Sequence, residues 1–410
     1  MSVPAIANDV RYFARVAFTG RNGAFRRLAT RGALLELVTF GFYRFWLTTD
    51  IRRHLWSHTE IDGDALEYTG RGKELLFGFL IAMTVLGPVF LVYFLIGLEF
   101  ERLEAFASLP LSALVFAFGQ FAAYRARRYR LTRTVWRGVR FWMTGSGWSY
   151  AWRSALWGLL LLPTLGLAYP WRAAALERYK LRHTLYGNLP GRFEASGWQL
   201  FKQVWWVWLL GLLPFLLLAG GVAAIAITTG NTQPPAAYHI PPPHSVSVAA
   251  GGAMLIGGMA LIIGLPFLHA VRRAKEWAWW AGSIRFGSVA VACHLRSGSL
   301  IGIYWKLIGV GLLVFLGYAA IAGGLTALVG PSAIIGELAA WGFGAHAVMY
   351  LLLLVTFGVL ARIYTLQRIW RRVIEACAVI NIGDAADIAA AGYVVNAFGE
   401  GLADGLDFGL

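Results

Sequence analysis

The stretch "TFGFYRFWLTTDIRRHLWSHT" (Thr39–Thr59) is matched 125 residues later by "TLGLAYPWRAAALERYKLRHT" (Thr164–Thr184). The two agree at the opening Thr, the Gly two residues on, the Trp, one Arg and the closing His-Thr. Each sets a short apolar run (Ala33–Trp46, Leu156–Trp171) directly before a basic, aromatic one. Crossing a hydrocarbon core of ~30 Å takes roughly 20 apolar residues, and both runs fall short. The first also holds Glu36 and Arg44, and the second is interrupted by "LPTLG" (Leu162–Gly166). They read as re-entrant or interfacial helical hairpins, whose turns are tolerated at membrane depth where protein or water surrounds them.

Composition sets the wider class. Of 410 residues, 58% are hydrophobic and 14% charged, against about a quarter charged in soluble domains. Apolar runs long enough to span occur at Leu75–Leu98, Ala105–Tyr124, Val204–Thr228, Val246–Ala270, Leu307–Val329 and Leu338–Ala361. The expected fold is an all-α polytopic membrane protein with six transmembrane helices, the two short hairpins and short cytoplasmic strands. The N-terminus lacks an apolar core of signal-peptide length ahead of its arginines, so no cleavage is expected. Cys293 and Cys377 are too few for a disulfide framework, and both are expected in the cytoplasm, where thiols stay reduced.

The net charge of +15 is gathered beside the ends of the apolar runs, in "YRARRYRLTR" (Tyr124–Arg133), "VRRAKEW" (Val271–Trp277) and "RIYTLQRIWRR" (Arg362–Arg372). That distribution fits anchoring at anionic headgroups rather than nucleic acid. Residues 1–31 carry six arginines and residues 125–140 seven with no acid, whereas "EFERLEAF" (Glu99–Phe106) has three glutamates and one arginine. Basic segments stay inside. With neither short hairpin crossing, every basic segment and both termini are cytoplasmic; with both crossing, eight spans result and the charge rule is inverted at its strongest point.

A second motif recurs five times as Thr or Ser, then Gly, ahead of an apolar helix: "FTGRNGAF" from Phe18, "YTGRGKEL" from Tyr68, "MTGSGWSY" from Met143, "ASGWQLF" from Ala195 and "RSGSLIG" from Arg296. Thr or Ser there suits a helix N-cap. Ahead of several copies lies a strand-like alternation, as in "DALEY" (Asp64–Tyr68) or "VRFWM" (Val139–Met143). These spacings divide the chain into parallel tandem repeats over residues 1–142 and 143–282. A shortened third repeat covers 283–372, and a cytoplasmic tail 373–410.

These motifs, with "IRFGSVAVACHLRSG" (Ile284–Gly298) and the terminal "GEGLADGLDFG" (Gly399–Gly409), resemble the YjgN-like family of bacterial inner-membrane proteins, over nearly the whole chain. The resemblance implies a multi-pass protein of the bacterial inner membrane and brings no catalytic residues with it.

Candidate sites follow from chemistry. Arg52, Arg53, Arg127, Arg128 and Arg178 are expected to contact anionic phospholipid headgroups or an anionic solute, because guanidinium favours two-point phosphate contact. Thr39, Gly41, Trp46, Thr164, Gly166 and Trp171 are expected at a ligand site on the hairpins, where helix termini would face a solute. Glu36, an acid inside an apolar segment, joins them; pairing with Arg44 or another arginine is its plainer role. Lys306 and Arg153 are expected to snorkel, and Gln120 and His346 to bond between helices. His239 and His244 flank "IPPP" with no nearby acid or thiol, too little for a metal site. No phosphate-cradling glycine loop, zinc-helix motif or nucleophile elbow occurs, so neither an enzyme nor a cofactor is expected.

Two functional readings remain. One is a transporter- or channel-like protein with a basic cytoplasmic mouth for an anionic or lipid ligand. The other is a non-transporting membrane scaffold with a cytoplasmic docking sheet. A polar cavity between the repeats favours the first, and a dry, packed centre the second.

Overall fold

The computed structural model describes residues 13–99, 104–230, 244–329, 337–385 and 389–392. Strand β1 (Phe13–Phe18) leads into helices α1 (Asn22–Val38) and α2 (Arg44–Ser57). Strands β2 (Thr59–Ile61), β3 (Asp64–Ala65) and β4 (Glu67–Tyr68) follow, then α3 (Gly72–Glu99) and α4 (Glu104–Thr132). Next come β5 (Thr134–Trp136), β6 (Val139–Met143), α5 (Gly147–Leu161) and α6 (Tyr169–Arg182). After β7 (Thr184–Tyr186) and β8 (Leu189–Phe193) run α7 (Gly197–Gly230), α8 (His244–Met259) and α9 (Leu265–Ala281), the last two joined by a π turn at Ala260–Gly264. Strands β9 (Ile284–Phe286) and β10 (Val289–Cys293) precede α10 (Ser297–Val329), α11 (Glu337–Ala361), a π turn at Arg362–Leu366, α12 (Gln367–Glu375) and β11 (Cys377–Ile380).

The strands form one antiparallel sheet in the order β3-β2-β1-β11-β10-β9-β8-β7-β6-β5-β4. Its two end strands are neighbours in sequence, separated only by Leu66, so the sheet is a nearly closed, barrel-like ring. Closure has a physical logic: it leaves no long free edge to template pairing with another chain. The ring links its members through the same backbone bond five times. The first amide beyond one strand donates to the last carbonyl before its partner: Thr19 to His58 (2.9 Å), Thr69 to Arg133 (2.9 Å), Thr144 to His183 (2.8 Å), Glu194 to Ser283 (3.2 Å) and His294 to Ala376 (2.9 Å). Each bond joins the two ends of one helix pair. All five pairs therefore rise from one rim of the ring, and tight turns occupy the other. At Asp62-Gly63 and Arg137-Gly138 both turn residues have positive φ (57° and 86°, 48° and 76°), as the type I′ hairpin turn requires.

Alternate strand residues point inward and fill the ring. Val16 lies opposite Ile61 and Phe141 opposite Tyr186. With Ala14, Trp136, Phe286 and Val379 they form one apolar cluster drawn from strands all round the sheet. The Tyr186 hydroxyl is satisfied inside it, donating to the Trp136 carbonyl at 3.0 Å. The centre of the ring is packed, not open.

Above the rim the second helices of the pairs form an inner circle. Phe45 of α2 clusters with Tyr129 of α4, and Arg127 of α4 reaches Glu177 of α6. Trp280 of α9 also bonds Glu177, Ile369 of α12 packs on the α9–α10 cluster, and Trp370 of α12 stacks on Trp56 of α2 at 4.9 Å between centroids.

The all-α expectation is overturned by the eleven-stranded ring. Its strands are two to six residues long, short enough to read in sequence as isolated pieces rather than as one sheet. All but β3 also pair with a strand a whole helix pair away, a contact no local pattern reveals. The span count changes as well. Among the described residues four helical stretches are long and apolar enough to cross a membrane: Gly72–Tyr93, Gly197–Ile227, Val248–Ala281 and Ser297–Gly324. In α4 the helix runs on through the arginine-rich segment, and Ala347–Ala361 is a shorter apolar helix. The tail from 393, most of the Pro-rich segment 232–245 and Glu101 lie outside the described residues.

Candidate functional site

The two matched stretches make the same turn. After α1, Phe40 and Gly41 have φ of 50° and 89°; after α5, Leu165 and Gly166 have 47° and 84°. Glycine populates this left-handed region without the penalty a Cβ carries. In each copy the Thr hydroxyl donates to the carbonyl four residues back, Thr39 to Leu35 and Thr164 to Leu160, both at 2.7 Å. Each also accepts an amide from the incoming helix, Tyr43 at 2.9 Å and Ala168 at 3.4 Å. The hydroxyls close the helix ends. The tips beside them are apolar and open: Val38 is 75% exposed and Phe40 94%, Leu162 74% and Leu165 71%.

The matched tryptophans hold the pairs to their neighbours. A Cβ on Gly72 would sit 2.9 Å from Trp46 Cα, and one on Gly197 would sit 2.6 Å from Trp171 Cα. These glycines let α3 and α7 start in contact with the backbone of the preceding inner helix. Trp171 also packs on Phe201 (5.1 Å), and Trp46 stacks on Tyr43 (6.3 Å).

The sequence-predicted arginines are spread around the inner circle rather than gathered at one point. Arg53 donates to the Gly70 carbonyl (3.2 Å) and Arg178 to the Ala195 carbonyl (3.3 Å), each 17 residues on. Arg371, which the sequence reading did not single out, makes the corresponding bond to the Gly20 carbonyl, from the last inner helix to the start of the first outer one. These three tie an inner helix to the start of the next outer one. Arg52 is fully buried, 3.5 Å from the Tyr68 hydroxyl. Arg127 pairs with Glu177 (3.5 Å) and lies over the Trp280 ring (5.9 Å). Arg128 has a partner of its own within the fold.

Glu177 is a hub. It accepts from Lys180, from Arg127 and from the Trp280 indole (2.9 Å). Burial pushes its carboxyl upward, but Lys180 and Arg127, with the bonds from Lys180 and Trp280, outweigh that and hold it below its ordinary value. Glu36 binds Arg362 at two points, 2.8 Å and 3.4 Å, joining α1 to the π turn before α12. Gln120 accepts from Ser154 (2.8 Å), which accepts from Arg172 (2.9 Å), linking α4, α5 and α6. Burial and the neighbouring Arg182 and Arg153 hold His183 below its ordinary value. Among the described residues no group of three His, Cys, Asp or Glu side chains is placed to hold a metal ion.

An open cleft of about 1140 Å³ runs along the first hairpin. Arg26, Arg27, Arg31, Leu34 and Leu35 of α1 line it with Tyr43, Leu47 and Asp50. Three cations and one carboxylate thus lie among leucines, and Val38 and Phe40 at the tip of the same hairpin are exposed. The sequence reading missed these arginines because they precede the apolar run rather than follow it.

Fold and site together define a class of protein in which helix pairs stand on one rim of a packed antiparallel ring, with four stretches able to cross a membrane. Residues 13–405 match the family of bacterial proteins of unknown function called DUF898, and the chain belongs to it; this is the YjgN-like family its motifs resemble. The inner membrane protein YjgN of Salmonella typhimurium is 25% identical over 150 residues. The match covers 37% of this chain and 35% of the Salmonella protein, so the chain spans about a third of that relative's length. No solved structure matches it.

Proposed function

We propose that this is an inner-membrane protein that holds anionic phospholipid in the cleft of its first helix hairpin, as a lipid-bound scaffold rather than a conduit. The observation that carries this reading is the cleft itself. Arg26, Arg27 and Arg31 offer phosphate contacts in a cleft also lined by Leu34, Leu35 and Leu47, on a hairpin with an exposed apolar tip; these match the two chemistries of a phospholipid. The membrane setting is supported by the four apolar helical stretches and by the inner-membrane relative. In this reading the chain is multi-pass, the ring and both termini are cytoplasmic, and the short hairpins dip into the inner leaflet from that side. The packed ring centre favours a scaffold over passage along the ring axis, and the five-fold recurrence of helix pair and strand pair reflects parallel duplication.

The test is native mass spectrometry of the detergent-purified protein offered phosphatidylglycerol, cardiolipin and phosphatidylcholine. The two anionic lipids should be retained over phosphatidylcholine. The R26Q/R27Q/R31Q variant should lose retention by tenfold or more, since each charge-assisted bond contributes roughly 1.5–3 kcal/mol and 1.4 kcal/mol is about tenfold. Equal retention of all three lipids, or undiminished retention by the variant, rejects the site.

A further inference from the structure

Five strand pairs meet at the helix-bearing rim, each in the same register: Phe18 opposite Thr59, Tyr68 opposite Thr134, Met143 opposite Thr184, Phe193 opposite Ile284, and Cys293 opposite Cys377. In four of them a large buried side chain lies across from Thr or Ile. The fifth places two thiols there instead, with the Cys377 and Cys293 Sγ atoms in direct contact, 2.7 Å apart. They are the chain's only two cysteines. Because His294 donates to the Ala376 carbonyl in the next rung, Cys293 and Cys377 occupy a non-hydrogen-bonded position. Cα atoms at such a position lie about 4.5 Å apart, inside the range of roughly 4.4–6.8 Å that a disulfide spans. Both side chains are half-buried, so a small reagent can reach them.

We propose that Cys293 and Cys377 are a reversible oxidation site, forming a cross-strand disulfide by exchange with a low-molecular-weight disulfide of the glutathione class. The Cys293 thiolate attacks one sulfur of the reagent, giving a mixed disulfide and releasing one glutathione thiolate. Cys377 gives up its proton, and its thiolate attacks Cys293 Sγ, forming the protein disulfide and expelling the second glutathione thiolate. Two protein thiols are thereby oxidised while one reagent disulfide is reduced to two thiols. The face-to-face geometry serves either order, and the contact between the two sulfurs, which draws the Cys293 thiol down and holds the Cys377 thiol up, favours Cys293 as the first to attack. The bond would staple β11, the last strand described, to β10. Since β11 also pairs with β1, the staple would fasten the junction of the first and last described strands, and in a reducing cytoplasm it would be transient.

The experiment is thiol counting on the intact, folded protein incubated with oxidised glutathione, followed by peptide mass spectrometry. The count should fall from two to zero, with a Cys293–Cys377 linked peptide lighter by two hydrogens and both thiols regained in reduced glutathione. The C377S variant, which has no resolving thiol, should retain glutathione on Cys293. Two thiols still alkylatable after oxidation, glutathione left on both cysteines of the unsubstituted chain, or cross-linked dimers in place of the internal bond would overturn the proposal.

Discussion

Glu36 and Arg362 are joined at two points, 2.8 Å and 3.4 Å, although 326 residues separate them. The pair closes the circle of helices, because α1 begins the first helix pair and Arg362 lies in the π turn between α11 and α12 of the last. An acid in an apolar segment is tolerated when a partner neutralises it, and here the partner comes from the far end of the chain.

The first prediction tests that closure. Both side chains are about a quarter exposed (23% and 29%), so E36Q or R362Q should each lower stability by about 1–3 kcal/mol. The double variant should lose less than the sum of the two. Detergent-solubilised melting curves for all four proteins measure this. Strict additivity would mean that the pair contributes nothing of its own.

Gly197 gives a second test. An added Cβ would stand 2.6 Å from Trp171 Cα and 2.8 Å from its backbone nitrogen, and neither atom can rotate away. G197A should destabilise by about 1–3 kcal/mol through overpacking. Gly23, inside α1, has nothing within 4 Å of such a Cβ. G23A should therefore leave the melting midpoint unchanged or raise it, Ala being up to ~1 kcal/mol the better helix former.

Acid sensitivity should trace to Glu177. Its folded pKa lies below the ordinary 4.5, so the stability it contributes is complete above that value and is lost as pH falls through the lower folded one. E177Q should be less stable than the parent at neutral pH, and the difference should shrink below about pH 4.5. Unfolding midpoints between pH 3 and 7 (roughly the window of carboxylate titration) decide it; a gap that stays constant with pH would assign the defect to packing instead.

Membrane depth can be read at the hairpin tips. Phe40 is 94% exposed, and α1 at 17 residues is about 25 Å long, less than the ~30 Å core. Maleimide labelling of a single cysteine at position 40, in the C293S/C377S background, should therefore fail from both sides of an inner-membrane vesicle. Labelling from the periplasmic side would show that the hairpin crosses.

Several features were legible because they are local. The Thr-x-Gly turns follow from a Gly at the left-handed position and a Thr able to bond back one helical turn, and both copies adopt them as a matched pair. The Thr/Ser-Gly motifs mark the junctions from strand to helix. The strand-like alternations at Asp64–Tyr68 and Val139–Met143 were legible too, and both became strands. What stayed hidden is non-local: the partner of Glu67–Tyr68, Thr134–Val135, lies beyond two complete helices. Asp62-Gly63, Arg137-Gly138, Gly187-Asn188 and Gly287-Ser288 are two-residue turns between strand formers, a further signal from which the ring could have been suspected.

The sequence by itself determined the apolar helices, the helix-pair turns and the family, because hydrophobic length and glycine placement act within a few residues of each other. Only the tertiary structure decided that the short strands close into a packed ring, that Glu36 meets Arg362, that Arg53 and Arg178 cap carbonyls, and that two cysteines face each other. Each of these depends on which distant segments become neighbours. That is settled by the summed burial and hydrogen bonding of the whole ring, and no single stretch carries it.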